Sequence, residues 1–101
     1  MSEAILVKSN YTGAVIVKNY TILVDEWELD SQSPEGYPYK GTISIADITE
    51  EHIPEVILSL EDAVSGNFAP VCKSSDFYIY IWASSIPETE IVVPVIRASL
   101  A

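Results

Sequence analysis

Positive charge is what this sequence has least of: five Lys and Arg stand against fifteen Asp and Glu in 101 residues, a net charge of -10. Such a chain repels phosphate backbones and anionic headgroups, which argues against nucleic acid and membrane surfaces as partners. Histidine and cysteine are nearly absent too, with one of each. His52 alone would have to serve any catalytic triad, and Cys72 alone closes no internal disulfide. Lacking a basic neighbourhood, Cys72 reads as a buried, inert thiol. The four glycines are scattered at turns and build no phosphate-cradling loop. Apolar runs reach only a handful of residues, far short of the roughly 20 that span a bilayer. The acidic start, Met1-Ser-Glu3, lacks the basic region that opens a secretory signal. The expectation is a protein without cofactor or metal, made in the cytoplasm and kept there until assembly.

Apolar side chains make up 49% of the chain, enough for one domain with its own core. Its most informative stretch is Asp76-Phe-Tyr-Ile-Tyr-Ile-Trp-Ala83. On a strand, Phe77, Ile79, Ile81 and Ala83 share one face and Tyr78, Tyr80 and Trp82 the other. The first face suits a core. The second suits either packing against another sheet or subunit, or a platform on which a sugar stacks, because Tyr and Trp combine an apolar body with a polar tip.

Two triplets, Asn10-Tyr-Thr12 and Asn19-Tyr-Thr21, each lead into aliphatics and predict two short strands joined by a turn. Both fit the glycosylation pattern, which has no consequence without a secretory route. Tyr20 to Leu29 reads as one strand, with Leu23, Trp27 and Leu29 on one parity. Asp30 to Gly36 is rich in turn formers and predicts an exposed flexible loop. Thr42 to Ala46 is a strand with Ile43 and Ile45 inward, and Ile48 to Pro54 an acidic connector. Val56, Leu58 and Leu60 share a face of the next strand. Ser59 caps a single helical turn, with Asp62 three residues on and Gly66 as its stop. In the last strand, Pro94 cannot donate to a ladder, which predicts an edge position or a bulge. The expected fold is all-β, a small antiparallel β-sandwich of six to seven short strands with at most one helical turn.

Chemistry is sparse. His52 with Asp47, Glu50, Glu51 and Glu55 has ligand types but no metal-site spacing, and reads as a solvated acidic loop. Paired carboxylates such as Glu26 with Glu28, or Glu61 with Asp62, are neighbours in sequence only. The aromatics carry more promise: Trp27, Tyr37 and Tyr39 are the candidates for ligand recognition, and Tyr78, Tyr80 and Trp82 for core or subunit contact.

Several motifs follow one another in order. Trp27 is followed by an acidic loop, Tyr37-Pro-Tyr39 and Thr42-Ile-Ser-Ile45. Then come Ile53-Pro-Glu-Val-Ile-Leu-Ser-Leu-Glu-Asp-Ala63, Ser65-Gly-Asn-Phe-Ala-Pro70, Tyr78 to Ala83, and Ile86-Pro-Glu-Thr-Glu-Ile-Val-Val-Pro-Val-Ile96. In this order they resemble a domain of bacteriophage fibre and minor structural proteins from phages of Gram-positive bacteria. The resemblance covers residues 20 to 98 and implies a non-catalytic virion protein assembling as a homotrimer on a capsid or tail protein. Fibre proteins of this kind carry a long amino-terminal shaft where this sequence has residues 1 to 19. The expectation is therefore a small accessory, head-fibre or capsid-decorating protein. It divides into an attachment segment, 1 to 19, and a sandwich domain, 20 to 101. Ile5, Leu6, Val7, Val15 and Val17 are the candidate particle-docking residues. A module binding host-surface glycans is the alternative.

Overall fold

Apolar residues at every second position organise the chain into two antiparallel sheets packed face to face. The computed structural model describes residues 5–8, as backbone, and 14–100. The first sheet contains β1 (Ile5–Lys8), β2 (Val15–Ile22), β5 (His52–Ile57) and β8 (Ile91–Leu100), in the order β1-β2-β8-β5. The second contains β3 (Trp27–Leu29), β4 (Tyr39–Ser44), β6 (Phe68–Ser75) and β7 (Tyr78–Ala83), in the order β3-β4-β7-β6. The sandwich is the fold the alternation predicts, with eight strands among the described residues. Its core lies between the sheets, where Ile22, Ile43, Ile48, Ile79, Val93 and Ile96 are fully buried. Burying each such side chain contributes about 1.5–3 kcal/mol.

One helical turn, α1 (Leu60–Val64), links β5 to β6. The Asp62 N–H donates to Ser59 Oγ at 3.2 Å, the cap the sequence predicts. Gly66 follows at φ +77°, a conformation that favours glycine at a helix end. Leu60 belongs to this turn and is 80% exposed, so the face predicted for it with Val56 and Leu58 ends at Leu58.

Tyr20 to Leu29 is not one strand. A 3-10 turn at Val24–Glu26 carries the chain from the first sheet to the second, closed by the Leu23 N–H donating to Glu26 Oε1. Val15 to Ile22, in turn, is one strand without an intervening turn. The Asp30–Gly36 loop is stitched: Asp30 Oδ1 accepts from the Gln32 N–H, its carbonyl from Ser33, and the Pro34 carbonyl from Tyr37. The expected acidic connector is largely structure as well, since Ile48 is buried and β5 already begins at His52.

Three edges of the sandwich carry features that discourage pairing with another chain. Pro54 lies on β5, Pro70 and a register shift lie on β6, and β3 is three residues long. Pro94 is not on an edge, because β8 is central, flanked by β2 and β5. Strand β2 runs through residue 19 and hydrogen-bonds to β8, so a boundary between 19 and 20 cuts a strand.

Candidate functional site

Strand β7 sorts its side chains as the alternation predicts, but not as far as Phe77. Ile79, Ile81 and Ala83 enter the core. Phe77 sits in the β6–β7 turn at φ +73°, exposed, with its N–H donating to the Ile48 carbonyl and its own carbonyl accepting from Ile45. Tyr78, Tyr80 and Trp82 point away from the first sheet, which rules out their packing against it. They form the outer face of the second sheet, joined by Lys40 and Thr42 of β4 and Lys73 of β6, which pair in register with Trp82, Tyr80 and Tyr80 respectively.

Trp82 is buried although it faces outward, because the 30–34 loop folds over it. Its Nε1–H donates to Asp30 Oδ2 at 3.0 Å. That bond, with the Gln32 N–H on the other oxygen and the nearby charges of Lys40 and Lys73, holds the Asp30 carboxyl below its ordinary value. Tyr80 is flanked on both sides. The Tyr78 ring stacks on it with centroids 6.1 Å apart, and Lys40 Nζ lies 4.6 Å from its centroid, within cation–π range. Lys40 also meets Glu28 at 4.0 Å. Between the loop and strand β6 these groups leave a groove of about 560 Å³, lined by Asp30, Gln32, Ser33, Lys40, Lys73, Tyr80 and Trp82 among others.

A second cavity, about 440 Å³, lies in the seam between edge strands β5 and β6, lined by Val56, Leu58, Ala63, Phe68 and Cys72 among others. Burial pushes the Cys72 thiol up from its ordinary value, and its Sγ lies 3.6 Å from the Pro54 carbonyl. This is a neutral, half-buried thiol, in line with the inert role its sequence setting predicts.

The aromatics singled out for recognition fall elsewhere. Trp27 is buried in the core, its ring 5.9 Å from that of Phe68 and pressed on Gly41. Tyr39 is half-buried against the same core, and Tyr37 closes the turn after Pro34. None of the three lines the groove. Val15 and Val17 are likewise buried and unavailable for docking. Ile5, Leu6 and Val7 run along β2 as β1, and their side chains lie outside the described residues. The groove's two lysines escape sequence reading, because their arrival at one groove from either side of β7 depends on the β4-β7-β6 order and has no local signature.

His52 is not part of a solvated acidic loop. It is 7% exposed at the start of β5, and its Nδ1 accepts from the Thr49 N–H at 3.0 Å. Among the described residues, no three His, Cys, Asp or Glu side chains come together in a way that would hold a metal ion. No helix among them is long and apolar enough to cross a membrane. No protein family, curated protein or solved structure matches the chain.

Proposed function

We propose that the chain is a non-enzymatic structural component of a bacteriophage particle, a small accessory fibre or capsid-decorating protein that docks as an oligomer. The motif order in the sequence suggests the virion and the homotrimer. The observation that carries the assembly role is the outer face of the first sheet. Outward faces of antiparallel sheets are ordinarily polar. Here Ile57 stands beside Val95, and Ile53 and Val92 are exposed on the same face, with Lys18 and an Arg97–Glu55 ion pair at 3.4 Å among them. Aliphatic surface of this kind is stabilised by a neighbouring subunit.

Light scattering of the full chain at micromolar concentration tests the oligomer. A mass of three chains is expected, falling towards one in Ile57→Asp; a wild-type monomer refutes self-assembly. Labelled chain should also sediment with purified particles, and the absence of any such binding refutes the virion role.

The groove favours a second reading, a receptor-binding module for host-surface glycans. A fixed carboxylate beside two ammonium donors, in a groove lined by Tyr80 and Trp82, is chemistry that suits the hydroxyls of a sugar. Retention of any glycan on an array by the full chain supports it, and a blank array refutes it.

A further inference from the structure

We infer that the groove on the outer face of the second sheet binds an acidic saccharide, with Lys40 and Lys73 holding a sugar carboxylate and Asp30 accepting from a neighbouring hydroxyl. The inference rests on the glycan reading above and narrows it to one site and one ligand class.

Charge distribution is the first argument. The chain has only five Lys and Arg, yet two of them converge on this one groove, on strands either side of β7. Neither is committed to a strong partner. Lys73 is exposed and makes no ion pair within 4.0 Å among the described residues, while Lys40 has Glu28 at the limit of that distance and the face of Tyr80. Their ammonium groups are free to meet an acceptor brought by a ligand.

Asp30 selects among anions. Its carboxylate is fixed by the Trp82 indole N–H and the Gln32 backbone N–H, which leaves lone pairs for a further donor. A fixed negative charge beside two lysines disfavours a compact dianion. It favours a ligand that carries a single carboxylate with hydroxyls a few ångströms away. The net charge of -10 opposes every anion and does so in proportion to its charge, so a singly charged saccharide is disfavoured least. Tyr80 is covered by Tyr78 and Lys40, so polar contacts hold the sugar rather than stacking on this ring.

The test is an amide-shift titration of the full chain by NMR with a trisaccharide carrying a single uronate, its neutral counterpart and inorganic phosphate. Saturable shifts at Asp30, Lys40, Lys73 and Tyr80 are expected with the uronate alone. Its Kd should rise roughly threefold in Lys40→Gln and in Lys73→Gln, the scale of one exposed charge pair, and roughly tenfold in the double variant. Arg97→Gln, on the other sheet, should leave it unchanged. Equal saturation by phosphate means a plain anion site and overturns the saccharide assignment. Shifts that ignore both lysines, or that follow Arg97, overturn the site. Array binding that survives the double variant overturns this inference while the glycan reading stands.

Discussion

Asn19 on β2 faces Pro94 on β8 at the level where both strands turn their side chains over. The ladder runs from Lys18–Val95 to Tyr20–Val93 without losing register. Below this level Val17 and Ile96 point inward; above it Tyr20 and Val93 do. Two successive pairs therefore face outward, and the backbone makes room through Asn19 at φ +58°. Asparagine tolerates that left-handed conformation better than most residues, and a proline opposite gives up no ladder donor it could have supplied.

Replacing Asn19 tests this directly. Asn19→Val should destabilise the domain by about 1–2 kcal/mol, the cost of left-handed backbone for a branched residue, whereas Asn19→Gly should cost less than about 1 kcal/mol. Urea denaturation of the two variants beside wild type measures both. Equal losses would mean that the Asn19 side chain matters and its backbone does not.

The β6–β7 turn holds a second residue in the left-handed region, Phe77 at φ +73°, where glycine would be at ease. The residue is 59% exposed and so gains little from the core. Phe77→Gly should therefore raise stability, by about 0.5–1 kcal/mol after the entropy glycine adds to the unfolded chain. Thermal unfolding reads the sign. A lower Tm would show that the exposed ring packs more than its accessibility suggests.

Asn19 and Phe77 mark the limit of what was legible in the sequence. Ile43, Ile45, Ile79 and Ile81 follow strict alternation, and Ser59 with Asp62 follows a capping pattern; such signals depend only on residues a few positions apart. The sandwich and its core strands come from them. Alternation fails where two strands flip together, so Val15 to Ile22 imitates two strands and a turn. It also gives no warning of a turn with phenylalanine in a glycine position. Trp27 reads as a recognition residue, but a change of sheet after Leu23 brings it over Gly41 instead. His52 is buried because β5 pairs with the end of β8. The lysine groove depends on strand order alone, which local pattern does not contain.

Trp27 and Gly41 constrain each other directly in the core. They pair across β3 and β4, and a Cβ on Gly41 would stand 2.7 Å from Cζ3 of the Trp27 ring. The ring is buried and cannot step aside. Gly41→Ala should cost about 1–3 kcal/mol as an overpacked contact. Trp27→Phe, which leaves more room, should recover part of that loss in the double variant. Purely additive losses in urea would show that the two residues do not share the strain.

Asp30 gives the domain a pH dependence of defined sign. Its folded carboxyl lies below the ordinary value chiefly because the Trp82 indole donates to it, with the Gln32 N–H next. A depressed folded value means that the unfolded chain binds the proton more readily. The contribution is thus fully present above the ordinary carboxylate range and is lost as pH falls through the lower, folded value. Asp30→Asn keeps the size of the side chain and removes the charge. It should be less stable than wild type at pH 7, and the gap should close in acid once the wild-type carboxyl is protonated. Chemical denaturation across that interval, followed by tryptophan fluorescence, reads both the gap and its closure. A gap of constant size down to about pH 2, below the carboxylate range, would assign the defect of the Asp30→Asn variant to geometry and leave no role for the Asp30 charge.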